Sequence, residues 1–158
     1  MKIPTATELD GYVNKHISEI CGCSFTNDSE NHCAHFVCHA TELTFGLTCF
    51  GMTGKGEHSK SGNIRVHEVF PRCRRVGKWA DKPVDLRRGF IFVTQAGNVD
   101  LKKKTISNVP RKHIGIFIEQ VVWQYKNRFR HVIKQTPEDF KRHYTGTGYE
   151  IFYGEFPL

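Results

Sequence analysis

The chain has 158 residues, 39% hydrophobic and 12% aromatic, which suits one domain spanning 1–158 with a single substantial core. No apolar run reaches the roughly 18 residues a membrane helix needs, and the Met1–Glu8 start lacks the apolar stretch of a secretory leader. No membrane partner is therefore expected, and the protein as synthesised is expected in the cytoplasm unless a non-classical route takes it to the cell wall. The formal net charge of +7 favours anionic partners: nucleic acid, acidic lipid or an anionic cell-wall polymer.

Residues 5–20 read as a first helix, capped by Thr5 or Thr7 with Glu8 in the first turn, and Leu9, Tyr12, Val13, His16, Ile17 and Ile20 on one face. Cys21-Gly22-Cys23 ends it. Six cysteines in a chain of this size without a leader are expected to stay mostly reduced. Cys21 and Cys23, with His32, Cys33, His35, Cys38 and His39 nearby, bring zinc into consideration, because His35 and His39 would share a helix face. Cys-x-Cys is not the usual knuckle and no second knuckle follows, so no metal or other cofactor is assigned. A second helix runs from about residue 31 to Leu43 or Phe45. The glycine-rich stretch 51–63 lacks the spacing of a phosphate loop and reads as a mobile surface loop bordering a groove.

Ile64 to Phe70 alternates weakly and predicts a short strand. Arg72, Arg74, Arg75 and Lys78 gather around Trp79, either as a stacking surface for an anionic glycan or nucleic acid or as a solvated loop with one anchoring aromatic. Strands are expected at Phe90–Thr94, 113–118, 121–126 and 129–134. Lys102-Lys103-Lys104 reads as an exposed charge run. Thr136-Pro137 opens a short helix to about His143, and Tyr149–Phe156 closes the chain as a strand. Helices first and strands afterwards give an α+β class with an antiparallel sheet.

Two residues stand out chemically. Cys33 lies where a polar loop, Thr26 to Asn31, turns into an amphipathic helix, and with Asn31 as cap it falls in the first turn. Free N–H groups and the positive dipole end stabilise a thiolate there. His113 opens the β-rich run His113-Ile114-Gly115-Ile116-Phe117-Ile118, a rigid position suited to a base.

In this order the residues resemble the NlpC-like and CHAP cell-wall peptidases. His32-Cys33-Ala34-His35-Phe36-Val37 corresponds to that family's nucleophile helix start, with His32, Ala34 and His35 standing where the family has Asp, Ser and Gly. Gly89-Phe90-Ile91-Phe92-Val93 corresponds to its Gly-Asp-hydrophobic strand, and His113-Ile114-Gly115-Ile116-Phe117 to its histidine strand. The resemblance covers roughly residues 28–135. It implies a papain-like fold, with the nucleophile helix packed on an antiparallel sheet. It also implies catalysis by Cys33 and His113, and a third polar residue on the next strand, here Gln124, with Tyr125, Asn127 and His131 competing for that place.

The resulting expectation is a cysteine peptidase or amidase cutting an amide bond in peptidoglycan or a peptide, without a cofactor, and an inhibitory protein partner is conceivable. A thiol peptidase or acyltransferase on a non-wall substrate is the alternative, although related permuted acyltransferases place the histidine before the cysteine. The third reading is a basic, zinc-stabilised nucleic-acid module. No recognised nucleic-acid motif supports it, so nucleic acid is not the expected partner.

Overall fold

The computed structural model describes residues 1–158 and is α+β. Its residues group into two compact units, one formed by 1–65 and 123–134, the other by 66–122 and 135–158. No helix is long and apolar enough to cross a membrane.

In the first unit, helix α1 (Ala6–Asp10) starts on a capping box between Thr5 and Glu8. It stops at Gly11 rather than continuing to residue 20. Asn14 takes a left-handed φ of 69°, a conformation short polar side chains tolerate, and Val13 bridges to Val132 of strand β7 (His131–Gln135). The expected long helix is thus replaced by a turn, this strand contact and a 3-10 turn at Ile17–Glu19. Tertiary pairing outweighs the apolar periodicity. Helix α2 (Cys33–Thr41) buries every residue except half-buried His39, so it is a core helix rather than a one-sided surface helix. Glu42, at φ 54°, ends it in the left-handed region, and the Leu43 N–H donates to the Cys38 carbonyl. Helix α3 (Cys49–Thr53) follows, its first turn capped by Thr48 Oγ1 accepting the Gly51 N–H at 3.1 Å. Strand β6 (Val121–Lys126) brings Trp123 and Tyr125 into this unit's core; the Tyr125 hydroxyl accepts the Ile17 N–H.

The second unit opens with helix α4 (Val66–Val69) where a strand is expected. Val66, Val69, Phe70 and Cys73 are all buried, an i, i+3, i+4, i+7 pattern that only a helical course can bury together. Strands β1 (Val76–Lys78), β2 (Arg88–Gln95), β5 (His113–Ile118) and β8 (Tyr149–Gly154) lie side by side in the order β1–β8–β2–β5, antiparallel throughout. A separate two-stranded ribbon joins β3 (Val99–Asp100) to β4 (Thr105–Ile106). Thr136 caps helix α5 (Pro137–Lys141), whose Phe140 packs with Ile91, Val93, Phe117 and Ile151. Gly154 of β8 leaves room for two buried side chains: a Cβ there would lie 2.6 Å from Cys73 Sγ and 2.9 Å from Phe92 of β2.

Candidate active site and a cysteine–histidine cluster

Cys33 is the first residue of α2, but the N-cap is His32 rather than Asn31 and its side chain makes no cap bond; Asn31, one residue earlier, accepts the Cys33 N–H at its Oδ1 at 3.2 Å. Asn127, in the turn after β6, joins this arrangement. Its Nδ2 donates to Asn31 Oδ1 at 2.6 Å, and its Oδ1 accepts the His32 N–H at 3.0 Å. The two asparagines thus together hold the N–H groups of His32 and Cys33. Since the Cys33 N–H is engaged with Asn31, an oxyanion bound there would have to displace that contact. All six cysteines are reduced and buried, so burial alone does not single out Cys33.

Gln124 is fully buried on β6, between Trp123 and Tyr125 in sequence and on the opposite face of the strand. Cys33 and Gln124 belong to the first unit, His113 to the second. His113 is fully buried at the start of β5, paired with Val93 of β2. Its ring stacks on His143 with centroids 3.8 Å apart and planes 8° from parallel, and Phe140 lies 5.6 Å away. Of the residues competing with Gln124, Tyr125 serves Ile17, Asn127 serves the start of α2, and the Nδ1 of His131 lies 3.1 Å from the Val132 carbonyl.

The first unit also gathers Cys21, His35, His39 and Cys49, whose ligand atoms all lie within 4.8 Å of one another. His35 and His39 share one face of α2 at i, i+4, as their spacing implies. Cys33 is two residues from His35, on another side of the helix, and takes no part. Cys38 is also outside the cluster, and Cys23 is not one of the four although its thiol borders those of Cys21 and Cys49. Cys49 is the member that local spacing does not reveal. Hydrogen bonding from Cys21, aided by His39 and Ser61, holds the Cys49 thiol far below its ordinary value against the effect of burial. The same contact pushes Cys21 up. Burial keeps His35 below its usual value, hence neutral.

The glycine-rich stretch is built into this cluster. Gly56, at φ 86°, abuts the Cys21–Cys23 bend so closely that a Cβ would meet the Gly22 carbonyl at 2.8 Å. A Cβ on Gly62 would press on His39. The stretch does border a cavity, of about 730 Å³, lined in part by Cys23, His39, Glu42, Glu57 and Ser61.

In the second unit, Trp79 packs edge-on against Phe117 at 4.9 Å with Lys82 over both rings. Arg74 and Arg75 pair with Glu155. Trp79 is therefore an anchoring aromatic, and two of its basic neighbours share one carboxylate, with Arg75 the closer partner at 2.7 Å. Comparison with family models, curated proteins and solved structures finds no match.

Proposed function

We propose that the chain is a papain-like cysteine hydrolase of the NlpC/CHAP kind that cleaves an amide bond, with peptidoglycan as the substrate class. The observation that carries this reading is Cys33 as first residue of α2, its N–H held by Asn31 and Asn31 held by Asn127, where the helix dipole favours a thiolate. Supporting it is the order of elements downstream: a Gly-led antiparallel strand, then a strand opening on a fixed histidine.

His113 removes the Cys33 proton, and the thiolate attacks the amide carbonyl to give a tetrahedral oxyanion. The C–N bond breaks as the imidazolium returns its proton to the leaving amine. Water, deprotonated by His113, then hydrolyses the thioester and restores the thiol. Gln124 orients the imidazole by a neutral hydrogen bond. Each oxyanion donor contributes about 3 kcal/mol to the transition state. The net charge of +7 suits an anionic wall.

The test is digestion of purified peptidoglycan by wild type, Cys33→Ala and His113→Ala, with released fragments weighed by mass spectrometry. New fragments from wild type alone support the reading, and their masses name the bond. Equal cleavage by Cys33→Ala would remove that residue from the mechanism. No cleavage of several wall types would move the substrate to a non-wall amide.

A further inference from the structure

We infer that Cys21, His35, His39 and Cys49 form a tetrahedral zinc site that staples α2 to the segments on either side of it. This stands independently of the hydrolase reading, since it concerns a different face of α2 and a different set of atoms.

The hydrogen bonding fixes which nitrogen of His35 is available. His32 Nε2 lies 2.7 Å from the Asn27 carbonyl, which can only accept, so that nitrogen carries the proton. In neutral His32 the other nitrogen, Nδ1, then has a bare lone pair. It sits 2.9 Å from His35 Nδ1, which must therefore donate. His35 Nε2 is left with a lone pair and faces the cluster, in a residue with no exposed surface, without a hydrogen-bond partner. A neutral imidazole whose far N–H is held by another group is the form a metal-binding histidine takes.

The sulfurs are prepared in the complementary way. Ser61 Oγ accepts the Phe50 N–H at 2.9 Å, which frees its own hydrogen for Cys49 Sγ at 3.2 Å. The Gly62 N–H also donates to Cys49 Sγ, at 3.4 Å, and the Cys23 N–H donates to Cys21 Sγ at 3.3 Å. Three donors converge on two buried sulfurs, a surrounding suited to thiolates. Tetrahedral zinc, with bonds of about 2.0–2.3 Å, places its ligand atoms about 3.3–3.8 Å apart. His39 Nε2 and Cys49 Sγ are already 3.6 Å apart.

A Cys–His nucleophile pair would need one thiol and one imidazole. Here a second of each converges on the same point, which is the ligand count of a closed structural site. Two thiolates with two imidazoles select zinc over calcium or magnesium, which require oxygen. Such a site also explains why a bend at Cys21–Cys23 and the five-residue α3 are ordered, since neither is a self-sufficient element.

The experiment measures metal in protein purified without chelator or affinity tag. About one zinc per chain is expected in wild type and in Cys73→Ser, falling to less than about a tenth in Cys49→Ser and His39→Gln. Because Cys49→Ser can fail to fold, wild type stripped of metal is also titrated with cobalt(II). Tetrahedral d–d bands and a thiolate charge-transfer band should saturate at one equivalent, while Cys21 and Cys49 alone become protected from alkylation. Metal-free wild type that gives no cobalt spectrum would overturn the inference. So would a Cys21–Cys49 disulfide in its place, full retention in both variants, or protection of other cysteines.

Discussion

Replacing Asn127 with alanine isolates the device that holds the start of α2. Two hydrogen bonds are lost: the exposed one from Nδ2 to Asn31 Oδ1, and the partly buried one that Oδ1 accepts from the His32 N–H. The first contributes about 0.5 kcal/mol, and loss of the second leaves a donor unpaired at about 1–2 kcal/mol. The sum is about 2 kcal/mol, which for a chain of this size lowers Tm by about 4–8 °C. Urea unfolding followed by fluorescence in a Trp79→Phe background, where Trp123 of the same unit is the sole tryptophan, gives the difference directly, with an unchanged slope expected. Asn127→Asp keeps the acceptor for the His32 N–H and adds a charge the helix start favours, but sets two oxygens against each other at Asn31. It should fall between wild type and alanine. A loss below about 0.5 kcal/mol in Asn127→Ala would refute the bridging role of this side chain.

Other substitutions probe the remaining close contacts. Gly154→Ala should cost about 2 kcal/mol by overpacking against Cys73 and Phe92, and Cys73→Ala in the same chain should recover part of it, as read by a double-mutant cycle in chemical denaturation. Gly56→Ala strains a left-handed residue and drives a Cβ into the Gly22 carbonyl; a loss of about 1–3 kcal/mol is expected, together with reduced zinc content measured by atomic emission. The Asp10 carboxyl is held below its ordinary value of 3.8, first by the Lys134 ammonium and then by the Trp123 indole N–H. A depressed carboxyl contributes stability that is complete above its unfolded value and lost as pH falls through the folded one. Acid unfolding of Asp10→Asn should therefore depend less on pH below about 4 than that of wild type.

Much of the framework is legible locally. Strands 113–118 and 121–126 and the Thr136-capped helix follow from short-range pattern and turn chemistry, as does the Asn31 contact at the start of α2. The failures arise where distant segments decide. Residues 12–20 carry a helical stripe, yet the pairing of residues 13–15 with Val132 takes the backbone elsewhere. In 64–70 the weak alternation hides the buried spacing of Val66, Val69 and Phe70. The histidine pair of the cluster is readable because both members lie on one helix. Cys49 is not, since it lies ten positions beyond His39 across a turn, and only folding brings it to Cys21. Its one local signal is Thr48, the cap that places the sulfur at the start of α3.

The most direct test of Cys33 as the nucleophile is competitive alkylation of the six thiols by limiting iodoacetamide, with each site quantified by peptide mass spectrometry across pH. Cys33 is 2% exposed and Cys23 1% exposed, so access is similar, but burial and the Cys49 contact raise the Cys23 thiol, and the pH midpoint of Cys33 decides alongside its rate. If Cys33 is activated, it reacts fastest, with a midpoint well below the ordinary thiol value of about 8.5, and slows in His113→Ala. A Cys33 that reacts no faster than Cys23, with an ordinary midpoint unaffected by His113→Ala, would contradict the assignment.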